Sequence, residues 1–273
     1  MIYLYIILAL AIAGLIYMSF EAGFVQVVRI KHSNHKQSLK IVQLSDIHIK
    51  YLRVSIHKTN NIILKENPDV ILITGDYLED TSDVDKFMSW LDQLVLKERV
   101  LLCLGNHDYK AFSGDEKGLN NFLKNIQDRG IKVLHDDCIC ISKGSVKYNF
   151  IGIKDYRSKN YNISEALAKC CPDAYLKIAF SHNPDIVTEM PYGSVDYLFC
   201  GHYHGGQIWA PFDLEFKILR GDKLCKKGIK RGLHKVNGIN LYINRGLGNV
   251  CVPFRFMSRP EITVFNLPYQ PPH

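Results

Sequence analysis

Five short polar clusters punctuate the chain, and each follows directly on an apolar run. They are Asp46-Ile47-His48, Gly75-Asp76, Gly105-Asn106-His107-Asp108, Ser181-His182-Asn183 and Gly201-His202-Tyr203-His204. Together they supply carboxylates, imidazoles and a side-chain amide, the mixture of hard oxygen and borderline nitrogen donors that suits a pair of divalent transition metals. A two-metal site implies hydrolysis at phosphorus. A lone Asp-x-His or Gly-Asp carries little. Gly-Asn-His-Asp after a buried strand is more specific, and the ordered set of five carries the inference.

The elements that must position these clusters alternate in the first half. Leu39 to Leu44, Val70 to Thr74 and Val100 to Leu104 read as short buried strands. Helical stretches are expected from about Val54 to Glu66, from Ser82 or Asp83 to Lys97, and from Lys117 to Arg129 with Gly130 as the stop. Ile131 to Leu134, Cys138 to Ser142 and Tyr148 to Ile153 then follow as strands joined by short turns, including Lys143-Gly144. Helix and strand resume with Ser164 to Cys170, Leu176 to Phe180 and Val195 to Cys200, and Asn240 to Ile243 and Glu261 to Phe265 close the chain as strands. This mixture predicts an α/β fold of two mixed β-sheets packed as a sandwich and flanked by helices. Every polar cluster sits where a strand ends, which is where open α/β sheets gather ligands. Glycines 75, 105 and 201 permit tight turns that bring backbone close to a ligand.

At 273 residues, 47% hydrophobic and 22% charged, the chain is an ordinary folded protein, and no repeat or low-complexity tract interrupts it. The formal charge of +7 favours an anionic partner without naming one. Cys103 and Cys200 lie in strand-like runs, Cys170 and Cys171 are adjacent, and Cys138 and Cys140 share a strand face. Neither pair reads as a cross-link between distant segments. The thiols are therefore expected to be reduced, as in a domain facing the cytoplasm.

From Ile2 to Phe20 no residue is charged. As a helix this run spans roughly 28 Å, enough to cross the hydrocarbon core. Ala9-Leu10-Ala11 and Ala11-Ile12-Ala13 resemble a signal-peptide cleavage site, but a basic leader is missing and the apolar run continues beyond them. The expected organisation is a transmembrane anchor over 1–20, a juxtamembrane strand and basic linker over 21–38, and a catalytic domain over 39–273. No Lys or Arg precedes the span, while Arg29, Lys31, Lys36 and Lys40 follow it, which places a single-pass protein in the inner or cytoplasmic membrane with its domain in the cytoplasm. The competing reading of this flank is a solvated strand pair, Phe24 to Lys31 turning at Asn34 towards Leu39 to Leu44.

With its motifs in this order the chain resembles the calcineurin-like metallophosphoesterase superfamily. Gly201 to Gln207 (GHYHGGQ), Asn244 to Gly248 (NRGLG) and Phe254 to Ile262 (FRFMSRPEI) resemble a bacterial membrane-associated phosphodiesterase subgroup that includes a UDP-2,3-diacylglucosamine pyrophosphatase. The resemblance implies that Asp46, His48 and His204 hold one ion, that Asp76 bridges two, and that Asn106, His182 and His202 hold the second. Two divalent cations are implied, manganese first, with iron or zinc as alternatives. In such a site a bridging water is acidified to hydroxide and attacks phosphorus in line. His107 then stands over the substrate and protonates the leaving oxygen, with Asp108 favouring its charged form.

Arg245, on a Gly-flanked loop, is a candidate phosphate contact, or else a sheet-edge arginine. The basic stretch from Lys217 to Lys235 lines an entrance for an anionic lipid or nucleotide, or is a solvated loop. His57, His135, His234 and Trp90 read as structural. Basic residues are not interleaved with stacking aromatics, so no nucleic acid is expected. The reading is a metal-dependent hydrolase of a phosphodiester or pyrophosphate bond in a lipid- or nucleotide-linked substrate. Its rivals are a broad-specificity phosphodiesterase or phosphomonoesterase on soluble metabolites and a membrane-tethered interaction module on the same fold.

Overall fold

Val70–Thr74 is β-branched except at Leu72 and buried along its whole length, the composition of a parallel strand covered on both faces. In the computed structural model, which describes residues 1–33, 35 and 38–269, it forms β3. Its sheet also contains β1 (Gln26–Lys31), β2 (Lys40–Leu44), β4 (Val100–Cys103), the short β5 (Lys132–Val133) and β12 (Glu261–Asn266). The order is β1-β12-β2-β3-β4-β5. The second sheet contains β6 (Asp137–Lys143), β7 (Val146–Gly152), β8 (Leu176–Phe180), β9 (Tyr197–Cys200), β10 (Gly232–Val236) and β11 (Ile239–Ile243). Its order is β10-β11-β9-β8-β7-β6.

Period-two alternation assigns each side chain to a layer. Ile41 and Leu72 join Phe150, Phe180 and Phe199 in the core between the sheets. Val42, Leu44, Ile71 and Ile73 instead face the helices outside the first sheet. These helices are α2 (Ile56–Glu66), α3 (Val84–Gln93) and α5 (Glu116–Gln127), which contribute Ile63, Phe87, Leu91, Phe122 and Ile126. On the outer face of the second sheet, α6 (Ile163–Ala168), α7 (Leu214–Leu219) and α8 (Lys223–Lys226) bring Ala166, Phe216 and Leu224. Phe199 of one sheet meets Phe265 of the other edge to face, with centroids 4.7 Å apart. Truncating Phe199 to alanine removes a contact between the sheets and costs about 3–5 kcal/mol.

Two expectations change. The third helix ends at Gln93 rather than Lys97 because Leu94 turns extended, its N–H bonded back to Leu91. The hairpin between the first two strands does not form. β12 inserts between them, parallel to β1 and antiparallel to β2, while Asn34, the expected turn residue, lies outside the described residues. The eight cysteines are free thiols. The fold nevertheless brings two of the separated ones together, with the Cys138 and Cys170 sulfurs 3.2 Å apart.

The directions of the strands position the site. β2 to β5 run parallel, as do β7, β8, β9 and β11. Their carboxyl ends therefore collect at one edge of the sandwich. The apolar α1 (Ile2–Glu21) projects from the domain with its side chains exposed over most of its length.

Candidate metal centre

The loops after β2, β3, β8 and β9 converge, and in those after β2, β3 and β9 the backbone bends where ordinary residues seldom do. Asp46, His48, Asp76, His202 and His204 all have positive φ, between 38° and 73°. Left-handed backbone at five non-glycine positions stores strain that a functional site explains. Two glycines make the approach possible. A Cβ on Gly105 would lie 2.1 Å from Asp76 Oδ1, and one on Gly201 would lie 2.2 Å from Asp46 Oδ2.

The donors form two buried groups. Asp46, His48 and His204 make one, and Asp76, His182 and His202 the other, with the donor atoms of each group within 4.8 Å of one another. His48 Nε2 faces His204 Nε2 at 3.1 Å, and His182 Nε2 faces His202 Nδ1 at 3.1 Å. The Asp76 carboxylate joins the groups: its Oδ2 lies 2.9 Å from His182 Nε2 and 3.7 Å from His48 Nε2. Asn106, at the start of α4 (Asn106–Ala111), lines the same cavity, and its buried Oδ1 has no hydrogen-bond partner among the described residues. An orphaned amide oxygen, facing imidazoles and two carboxylates is a donor set that fits two divalent cations.

Outer contacts decide which nitrogen each imidazole presents. The Thr74 carbonyl can only accept, so the His182 Nδ1 atom 2.9 Å away carries the proton and leaves Nε2 to the site. Asp222 lies 3.6 Å from His202 Nε2, opposite the Nδ1 that faces His182. Glu79 Oε1 lies 2.6 Å from His48 Nδ1. Asp46 accepts Ser45 Oγ–H at 2.6 Å and the His202 N–H at 3.0 Å.

Charges follow from these neighbours. Burial pushes the His182 imidazole down, but the adjoining Asp76 carboxylate outweighs it and raises it to about 10. Burial lowers His202 to about 3 and His204 to about 4, with Asp222 and Asp46 opposing only in part. Asp46 and Asp76 resist burial and stay below the usual carboxylate range because imidazoles surround them. Two ionised carboxylates, with His202 and His204 neutral beside them, favour positive charge in the site, and the raised His182 imidazole registers the same pull.

His107 stands beside the donor groups at the cavity wall, 22% exposed. Its expected partner is corrected. Asp108 accepts from the backbone N–H groups of Asp76, Tyr77, Leu78 and Gly105, so it braces two site loops. The carboxylate beside His107 is Glu79, whose Oε2 lies 3.2 Å from Nδ1. Burial pulls the His107 imidazole down, and Glu79 and Asp76 raise it overall. Burial pushes Glu79 up, yet His107 and His48 hold it at about 2.

Arg245 is also reassigned. Its guanidinium bonds Glu261 at 2.5 Å and Gln26 at 2.9 Å, bracing the sheet edge. The cations at the cavity are Arg157 and Arg220. Arg157 bonds Asp222 at 2.8 Å, and Arg220 stands over the Tyr203 ring. Of the basic stretch, Arg220 reaches the cavity while Lys223 pairs with Glu189. Trp90 is buried against Phe87, as expected.

Glu79, Asp222, Arg157 and the role of Arg255 are missed by the sequence reading. Glu79 lies three residues beyond Asp76 on the same loop, a spacing that could have drawn notice. Arg255 is fully buried, and its guanidinium donates to the carbonyls of Gly246, Gly248 and Ser258 and to Asn249 Oδ1. It therefore holds the NRGLG segment beneath Asp46. The cavity has a volume of about 390 Å³, and Ile208, Phe216, Val250 and Val252 give it an apolar wall beside the polar groups that also line it.

Known proteins place this geometry. Residues 39–206 match the family model described as calcineurin-like phosphoesterase. The chain is 31% identical to the uncharacterized metallophosphoesterase YkoQ of Bacillus subtilis over 84% of this chain and 83% of that protein. It is 26% identical to the UDP-2,3-diacylglucosamine pyrophosphatase LpxG of Chlamydia trachomatis, covering 92% of each. Against the phosphodiesterase YaeI of Escherichia coli the identity is 28% over 93% of each. Among solved structures, the sulfate thiohydrolase SoxB of Thermus thermophilus shares the fold at a TM-score of 0.50. The identity is 9%, over 84% of this chain and 56% of that one.

Proposed function

Since the chain belongs to the calcineurin-like phosphoesterase family and is a hydrolase, we propose that it cleaves a phosphodiester or pyrophosphate bond in a lipid- or nucleotide-linked substrate such as UDP-2,3-diacylglucosamine. The observation that carries the reading is the Asp76 carboxylate set between two buried histidine groups. Asp46, His48 and His204 would hold one divalent ion, Asn106, His182 and His202 the other, and Asp76 both. The family uses a dinuclear divalent site; manganese is our first choice for the metal, with iron or zinc as alternatives. When bound, such a pair supplies Lewis acidity to phosphoryl oxygens and lowers the pKa of water.

The chain's own residues do the rest. His107 is the acid that hands a proton to the leaving oxygen, and Glu79 keeps its imidazole charged and oriented. Arg157 and Arg220 offset the charge of a phosphate entering the cavity. The wall formed by Ile208, Phe216, Val250 and Val252 takes an apolar group on the substrate and excludes water.

We read α1 as a single-pass anchor over 1–20, residues 21–38 as a juxtamembrane segment and 39–273 as the catalytic domain. The domain lies on the cytoplasmic side of the cytoplasmic membrane. Holding the site there raises the effective concentration of a membrane-resident substrate. The test is turnover by the full chain in mixed micelles. Our reading expects kcat/KM for UDP-2,3-diacylglucosamine to exceed that for bis(p-nitrophenyl) phosphate by at least ~10-fold, a difference of ~1.4 kcal/mol. Equal values, or turnover of the simple ester alone, favour a broad phosphodiesterase acting on soluble metabolites.

A further inference from the structure

Beyond α1, Phe24, Leu64, Tyr192 and Leu233 are exposed apolar side chains scattered singly, whereas others cluster in two segments of the described chain. Trp209, Phe212, Leu214 and Ile218 lie in one, and Val252 and Met257 in the other; Phe212 is 82% and Ile218 74% exposed. Contiguous apolar surface of this kind marks an interaction site.

The two segments form one unit. The Trp209 N–H donates to Phe256 O at 2.9 Å, and the Phe256 N–H donates to Gln207 O at 3.0 Å. The last turn of α1 is fastened to the same unit. The Arg255 N–H donates to Met18 O at 3.1 Å, and the Met257 N–H to Glu21 Oε2 at 3.0 Å. Tyr17 meets the Phe256 ring edge to face at 6.1 Å.

Cations mark the same level along α1. Arg53 bonds Ser19 Oγ at 2.8 Å, and Lys58 and Arg259 stand over the Phe24 ring at 5.0 and 4.2 Å. An apolar lip next to a helix that carries no charge from Ile2 to Phe20, with cations at that helix's end, has the profile of a surface lying in anionic lipid. The inner side of the lip is the apolar wall of the cavity, through Ile208 and Val252.

We propose that this lip sinks into the bilayer leaflet beside α1, so that the candidate catalytic cavity opens at the lipid surface instead of into bulk water. The inference rests on reading α1 as a membrane span. Its occupant is the lipid bilayer; a lip left in water is the competing outcome.

The chain has two tryptophans, which makes a direct test available. Trp90 is 5% exposed in the core, and Trp209 is 38% exposed on the lip. The full chain carrying Trp90→Phe is reconstituted into vesicles of phosphatidylcholine and phosphatidylglycerol, with and without dibrominated acyl chains. A lip buried about 5–10 Å in the leaflet loses emission about two-fold with bromine present. Should that variant fail to fold, Trp209→Phe gives the complement, because the quenching seen in the wild-type chain must then vanish. Protein that floats with the vesicles but keeps its Trp209 emission overturns the lip and leaves the anchor standing. Protein that does not float overturns both.

Discussion

Glu79 stands 3.2 Å from His107 through Oε2, and its other oxygen lies 2.6 Å from His48. One carboxylate therefore couples the proposed proton donor to a proposed metal ligand. His107 clusters with Glu79 and His48, apart from the two donor groups built on Asp46 and Asp76, and the reading of it as the acid predicts that chemistry and metal binding separate at this residue. His107→Gln should lower kcat by roughly 10²–10⁴-fold. Metal content by mass spectrometry should stay at the wild-type value. Loss of metal in this variant would make His107 a ligand.

Glu79→Gln should disturb both neighbours without abolishing either function. Losing an outer-shell carboxylate typically costs ~10–100-fold in metal affinity or activity. Combined with His107→Gln, it should lower kcat by much less than the product of the single effects, because the two share one contact. Multiplicative effects would mean that Glu79 acts independently of His107.

Asp76→Asn tests the junction of the two groups. The carboxylate lies near His182 and His48 at once, so its neutralisation should weaken both ions together. Metal titration should then show neither site filled at concentrations that saturate the wild-type chain. A variant that keeps one tight ion would confine Asp76 to a single group.

Much of this site was legible because its residues lie where parallel strands end. Gly201-His202-Tyr203-His204 follows β9, and Gly105-Asn106-His107 follows β4, so local pattern alone predicted convergence. Glu79, Asp222 and Arg157 were harder, since an acidic or basic loop residue looks the same whether it meets solvent or an imidazole. Asp108 misled for a related reason: adjacency to His107 in the chain gave no hint that four backbone N–H groups hold its carboxylate. Arg245 sits in a loop of the expected kind, but Glu261 and Gln26 claim it from strands distant in sequence. The same limit applied to β1, whose alternation indicated a strand and whose nearest neighbour in sequence, Leu39 to Leu44, suggested the wrong partner. β12 takes that place from the far end of the chain.

Arg255 links the carboxyl-terminal motif to the site. Burial pulls its guanidinium down to about 9, so it is still charged at neutral pH while donating to loop carbonyls. Arg255→Met leaves those buried acceptors without a donor and should cost about 3 kcal/mol of stability, read as a lower urea midpoint. The loop beneath Asp46 should loosen with it and weaken metal retention. An unchanged midpoint would remove Arg255 from the framework of the site.

The central claim is that this chain works through two divalent ions held by Asp46, His48, Asp76, Asn106, His182, His202 and His204. It is tested most directly by stripping the full-length protein with chelator and restoring manganese stepwise while following phosphodiester hydrolysis. The account predicts no hydrolysis in the stripped protein and a rise that saturates at two ions per chain. Full activity in the stripped protein, or saturation at a single ion, would contradict it.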